Sequence, residues 1–549
     1  MLPYAAEHFT AEEEDVLRRY VTNLDRPVFA LVNLPEVVKG ALFARYSRSS
    51  KSLRRLFLDE FVSELDVTGD AGVDATMGLR RAEELYDRVF LEYGDDSVAQ
   101  LGGVHLACEQ ASNLLTKVLE RGRLMSYLEQ STRYIGYDAR LPTGHYRYYR
   151  DPHLLESPVG ARYVGAMDRM FDSYAQVLAD VQVWLAARHA PAADDTDLAF
   201  RRAVRAKALD VVRGLLPAAS LSNVGIYGTG QSYEHLVLRL RSHPLPEARQ
   251  YAELVLEELR KVIPSFVQRL DRPERGGRWT SYLEETRRRT DEVVARLFPG
   301  LLPDADEHAP GPAGAPSVTL VDFDPDGEEK VLVAICAAHL DQPEAEVASV
   351  VQRLSSDERR AVFEAYVGER TNRRHRPGRA FERTAYRFEV VTDYGAFRDL
   401  QRHRMLTVEW LPLGVHLGYE VPAEIVDSGL EGDYVASMER SRQLFEELRP
   451  VFPLEASYAV ALAYRVRYTL QLNAREAMHL IELRSGPQGH AGYRWVAQEM
   501  HRQIAERAGH HLLAEAMAFV DHGGHELGRI DAERDAERRR QARGPVAPG

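Results

Sequence analysis

Apolar residues recur at helical spacing in three long stretches of the chain. Over 104–119, Leu106, Leu114, Leu115, Val118 and Leu119 fall on one stripe, which predicts a helix. The segments 247–267 and 493–520 show the same spacing near the end of each half. Strand patterns are fewer. The best are 317–321, and 386–391, where polar and apolar residues alternate just before a cluster of arginines. Many helical stretches and a few short strands predict an α+β fold, with two helix-rich domains that each carry a small, mostly antiparallel sheet.

Punctuation sets the expected boundaries. From Pro303 to Pro316 the chain is rich in proline, glycine and alanine and has no large apolar side chain, so it reads as a linker. The expected organisation is a domain over 1–302, a linker over 303–316, a second domain over 317–530 and a charged tail over 531–549. At 549 residues the chain is too long for one ordinary core, which agrees with two domains.

Composition narrows the class. A hydrophobic fraction of 45% with 28% charged residues is that of a soluble globular protein. The formal net charge of −13 argues against a general nucleic-acid or anionic-membrane binder. The two cysteines, Cys108 and Cys336, lie in opposite halves and support neither a disulfide framework nor a cysteine zinc site. The acidic start MLPYAAEHFTAEEEDVLRR lacks a signal-peptide pattern, so a cytoplasmic location is expected. Cys108 reads as a small core residue within the first predicted helix. His501, His510, His511, His522 and His525 lack metal-ligand spacing, read as surface or helix-end residues, and no metal is expected.

Arginine-bracketed segments carry the candidate chemistry. The first reads Arg121-Gly122-Arg123-Leu124-Met125-Ser126-Tyr127-Leu128-Glu129-Gln130-Ser131-Thr132-Arg133-Tyr134, and the second begins Arg402-His403-Arg404-Met405-Leu406-Thr407-Val408-Glu409-Trp410. In an extended segment Glu129, Ser131 and Arg133 would share one face. An acceptor, a hydroxyl and a guanidinium side by side suit a ligand that carries phosphate. A solvated loop with an incidental ion pair is the alternative at this level.

The first segment resembles the pattern R-H-R-x-x-S-x-N-E-x-S-x-R-Y of the flavin-dependent thymidylate synthases. It departs from that pattern at Gly122 and Leu128. The second keeps Arg402-His403-Arg404 and then loses the glutamate, second serine and third arginine to Trp410, Pro412 and Gly414. Further landmarks are similar to the family's. Arg213 to Pro217, and Arg449 to Pro453, fit its R-x-x-x-P step. Asn473-Ala474-Arg475, His479 and Leu483-Arg484 fit its late helix, for which counting back from Arg241 gives Gly230-Gln231-Ser232 in the first half. Ala44-Arg45-Tyr46-Ser47 fits its early A-R-x-S, and Phe381-Glu382 its F-E step. The chain thus resembles two diverged copies in tandem.

The resemblance implies FAD as cofactor, with NADPH, methylenetetrahydrofolate and a pyrimidine deoxynucleotide, most simply dUMP converted to dTMP. It implies catalytic roles for Arg213, Ser131 and Arg133. Glu129, Ser131, Arg133, Arg213, Arg402 and Arg484 would contact the nucleotide. Arg402, His403, Arg404, Asn473, Arg475, His479, Glu129 and Ser47 would contact flavin. The first copy keeps the nucleotide-gripping residues and the second keeps the flavin-holding ones. Composite sites pairing first and second halves are therefore expected, in a homodimer that forms a pseudo-tetramer with one flavin per chain. The alternative is an inactive flavin- or nucleotide-binding descendant of the family.

Overall fold

The computed structural model describes residues 7–34, 42–43, 46, 49–60, 103–189, 196–299 and 315–524. The chain is α+β. Its two compact units are discontinuous in sequence: described residues within 1–175, 216–308 and 439–460 form the first, and those within 176–215, 309–438 and 461–549 the second. Each unit is built mainly on one half of the chain and includes a helical segment of the other half.

The first unit holds an antiparallel sheet of β1 (Val28–Leu31), β2 (Gly103–Ser112), β3 (Ser126–Glu129) and β4 (Leu221–Thr229), in the order β1-β2-β4-β3. The second holds β5 (Ser317–Phe323), β6 (Ala385–Asp393), β7 (Thr407–Trp410) and β8 (Arg465–Asn473), in the order β5-β6-β8-β7. The two topologies are the same. Registers agree as well: Glu129 faces Val224, and Trp410 faces Tyr468 at the matching point. The strands expected at 317–321 and 386–391 are present as β5 and β6.

The helix expected over 104–119 is a strand followed by a short helix, Asn113–Leu119. A run of small and apolar residues has no period that distinguishes a buried strand from a helix. The switch comes at Ser112, whose hydroxyl accepts from the Leu115 amide at 3.1 Å and starts the helix. Asp393 does the same after β6, accepting from Ala396 at 2.9 Å. Cys108 is buried as expected, but on β2, and burial pushes its thiol pKa well up. The helix expected over 493–520 is two, Ala491–Glu506 and His511–Ala516, while Pro246–Val262 covers most of 247–267.

In the first unit the Pro246–Val262 helix packs on β1, burying Tyr251, Val255 and Leu259 beside Phe29. In the second, Ala491–Glu506 packs on β5 and buries Val496, Met500 and Ile504 near Leu320. Among the described residues no helix is long and apolar enough to cross a membrane.

Candidate functional site

A cavity of about 390 Å³ opens in the second unit at the ends of β6 and β8. Arg213, Gly214, Asp393, Glu420, Tyr434 and Gly492 line it, with the Lys207–Glu424 ion pair at its side. Arg213 is 4% exposed, on the short 3-10 turn Arg213–Leu215. Its Nη1 donates to Asp399 at 3.0 Å, and its Nη2 lies 3.9 Å from Asp393 Oδ1. Nε and Nη2 have no hydrogen-bond partner among the described residues. Buried donors without acceptors are costly, which makes this guanidinium at the cavity wall a candidate for a ligand contact. Gly395 makes room for this arginine, since a Cβ there would lie 3.0 Å from Nε. Burial raises the Asp393 carboxyl to about 6, with Arg213 opposing the rise. Carboxylates offset the cations around this cavity, which suits a neutral polar ring better than a dianion.

The second-half motif residues lie on the turn after the Tyr394–Leu400 helix and at the start and along the Ala474–Arg484 helix. His403 is buried; its Nδ1 lies 3.0 Å from Glu476 Oε1, and its Nε2 accepts from Arg484 Nε at 3.0 Å. The His403 and His479 rings are 5.2 Å apart, and Arg376 donates to His479 Nδ1 at 2.8 Å. Burial and neighbouring arginines hold both imidazoles neutral at pH 7: His403 falls well below its ordinary value, and His479 to about 4. Asn473 caps the Ala474–Arg484 helix by accepting from Glu476 N at 2.9 Å. Arg475 donates to the Pro377 carbonyl at 3.0 Å and pairs with Glu382 at 3.7 Å. Arg402 is half-buried and Arg404 exposed on the same turn. His403, Glu476 and His479 each offer a ligand atom within 4.8 Å of the others. Both nitrogens of His403 and Nδ1 of His479 are already engaged, however, and guanidinium groups crowd the cluster. As arranged, it suits an anionic group such as a cofactor phosphate better than a metal cation.

The first-half motif lies in the first unit. Glu129 ends β3 and is buried, accepting from Lys117 Nζ at 3.1 Å; Lys117 also donates to Glu120 at 2.5 Å. The segment is extended only as far as Glu129. Beyond it the Ser131 carbonyl accepts from Tyr134 and Ile135, which closes a turn. Glu129, Ser131 and Arg133 therefore do not share a strand face as expected. Ser131 Oγ accepts from the Arg133 amide at 3.3 Å, and Arg133 is buried. Ser47 lies outside the described residues.

Two alignments are corrected by hydrogen bonds. Ala463 donates to the Gly214 carbonyl at 2.9 Å in the second unit, as Ala219 does to the Tyr458 carbonyl at 3.0 Å in the first. The counterpart of Arg213 is therefore Ser457, and Arg449 lies eight residues upstream of it. The counterpart of the Asn473 cap is Thr229, which accepts from Ser232 N at 3.4 Å, rather than Gly230. Lys117, Glu476 and Asp393 were missed as site residues. A lone lysine within the apolar run Leu114 to Leu119 was the signal for the first; the other two act through burial and position.

The geometry defines a tandem α+β protein with an arginine-lined polar pocket and a separate imidazole–guanidinium cluster. The model for "Thymidylate synthase complementing protein" matches residues 41–265 and 319–508. A UPF0159 protein of Chlamydia pneumoniae is 39% identical over 531 residues, spanning 96% of this chain and 98% of its own length. One from Thermoplasma acidophilum is 32% identical over 521 residues, spanning 90% of this chain and 97% of its own. Among solved structures, the UMP/dUMP methylase PolB from Streptomyces cacaoi bound with 5-Br dUMP aligns with 38% of this chain and 96% of its own. Identity there is 17%, with a TM-score of 0.31. The chain belongs to the thymidylate synthase complementing protein family and carries its module twice.

Proposed function

We propose that this protein is a flavin-dependent methyltransferase acting on a pyrimidine deoxynucleotide, most simply converting dUMP to dTMP with methylenetetrahydrofolate and NADPH. The observation that carries the reading is Arg213, buried at the wall of a cavity of about 390 Å³ with two donors unmet. In this reading Arg213 donates to a pyrimidine carbonyl and stabilises negative charge that develops on the ring. On the family resemblance alone, Ser131 and Arg133, in the first unit, are kept as phosphate contacts, with Glu129 fixed by Lys117. Arg402 and Arg484 also contact the nucleotide.

The donor set around His403 fits FAD. Arg402, Arg404, Asn473 and Arg475 would hold its polar groups, with neutral His403 and His479 against it. Reduced flavin supplies a hydride when bound. The chain's own residues bind and orient the nucleotide, and no cysteine nucleophile is required: Cys108 is fully buried on β2. The pocket joins Arg213, from the first half of the sequence, to second-half residues, so it is composite within one unit. The working form is proposed to be a homodimer.

Rescue of a thymidine-requiring bacterial strain tests the reading. The wild-type gene should restore growth without thymidine, while Arg213→Ala and Arg133→Ala should not. Failure of the expressed, folded wild-type protein to rescue would count against it. An inactive nucleotide-binding descendant would bind dUMP without rescuing growth.

A further inference from the structure

The tandem copies give the second-unit pocket a counterpart in the first unit, and the two have diverged in opposite directions. The backbone bonds that equate Gly214 with Tyr458 also equate Arg213 with Ser457. Asp393 and Ser112 each cap the helix that follows the central strand. Gly492 and Glu247 are each the second residue of the helix packed on the edge strand. Where the open pocket has Gly214 and Gly492, its counterpart has a tyrosine and a glutamate.

Both side chains point inward. Tyr458 is 0% exposed, and its hydroxyl donates to Glu247 Oε2 at 2.7 Å. Glu247, also 0% exposed, accepts from the Ser112 amide at 2.9 Å and the Ser112 hydroxyl at 2.6 Å. The Tyr149 ring packs against Tyr458 with centroids 5.0 Å apart. An aromatic ring and a carboxylate thus fill this space and meet each other's hydrogen bonds. In the second unit both glycines are closely approached by their surroundings. A Cβ at Gly214 would overlap the Tyr434 hydroxyl and lie 3.0 Å from the Ala463 methyl, and one at Gly492 would lie 3.0 Å from Asp393 Oδ2.

We propose that the first-unit pocket is permanently occupied by the chain's own Tyr458 and Glu247, leaving one pocket per chain, in the second unit, for the ring of a pyrimidine nucleotide. The plug keeps the first unit packed where its ancestor held a ligand. The nucleotide part of the proposal rests on the functional reading above; the plug does not.

Two measurements on the full-length protein separate these parts. In calorimetric titration with dUMP, one equivalent per chain is expected, and Arg213→Ala should weaken binding at least about tenfold, the loss of one charge-assisted hydrogen bond. Two equivalents per chain, or full-strength binding by Arg213→Ala, would overturn the assignment of one open pocket. Absence of dUMP binding would overturn the nucleotide reading and leave the plug to the second measurement. There, Tyr458→Ala should melt lower than wild type, and millimolar p-cresol, which replaces the missing ring, should raise its melting temperature while leaving the wild type unchanged. A folded Tyr458→Ala that ignores p-cresol would overturn the plug. If Tyr458→Ala does not fold, Tyr458→Leu takes its place: an isobutyl group that packs as well as the phenol, with no loss in melting temperature, would overturn it too.

Discussion

Glu247→Gln gives a direct test of the electrostatics in the first unit. Burial lifts the Glu247 carboxyl from its ordinary 4.5 to about 7, against hydrogen bonds from Ser112 and Tyr458 that favour the anion. Between these two values the unfolded chain releases a proton that the folded chain keeps. The contribution to stability is therefore fully present below about 4.5, declines as pH rises, and is lost above about 7. At about 1.36 kcal/mol per pH unit, the interval corresponds to roughly 3 kcal/mol. Glutamine cannot ionise but keeps one carbonyl oxygen, for the Ser112 amide that Oε1 accepts in the wild type. Urea unfolding of wild type and Glu247→Gln at pH 5 and pH 8, followed by near-ultraviolet circular dichroism, reads the effect. The stability of wild type relative to the variant should fall by about 2.5 kcal/mol from pH 5 to pH 8. A difference that stays constant across this range, or one that grows in favour of wild type, would refute the reasoning.

Other consequences follow from the same geometry. Lys117→Met leaves Glu120 and Glu129 buried without their shared cation and should cost about 3–5 kcal/mol in chemical denaturation. In the second unit, Asp393 titrates at about 6, above its ordinary 3.8, so its contribution also weakens as pH rises through 4–6; Asp393→Asn should flatten that part of the profile. His403→Ala removes the acceptor for Arg484 and the partner of Glu476, and should raise the dissociation constant for FAD at least about tenfold in a flavin-fluorescence titration. Unchanged FAD affinity would dissociate that cluster from flavin binding.

Much of the duplication was legible because it is written as spacing. The offset that carries Arg121 to Arg402 also carries the Ser112 cap to Asp393 and Glu129 to Trp410, so the motif registers agree with the sheets. The losses at Trp410, Pro412 and Gly414 were likewise visible as residue identities. Strand β2 was not legible, because an apolar strand that runs into a capped helix has no distinguishing period. Nor was the match of Arg213 to Ser457. It depends on the carbonyls of Gly214 and Tyr458, each of which receives its bond from a residue in the other half of the chain, Ala463 and Ala219. The discontinuous units have the same origin, since an exchanged helical segment has the local pattern of any other helix. Buried partners such as Lys117 and Glu476 become recognisable only once packing removes them from water.

The central claim is that the chain turns a pyrimidine nucleotide over, and product analysis tests it most directly. Purified full-length protein is supplied with FAD, NADPH, methylenetetrahydrofolate and dUMP, and the nucleotides are separated by chromatography. The account predicts dTMP that accumulates with time and is lost in Arg213→Ala. Recovery of unchanged dUMP from protein that has bound both dUMP and FAD would contradict it.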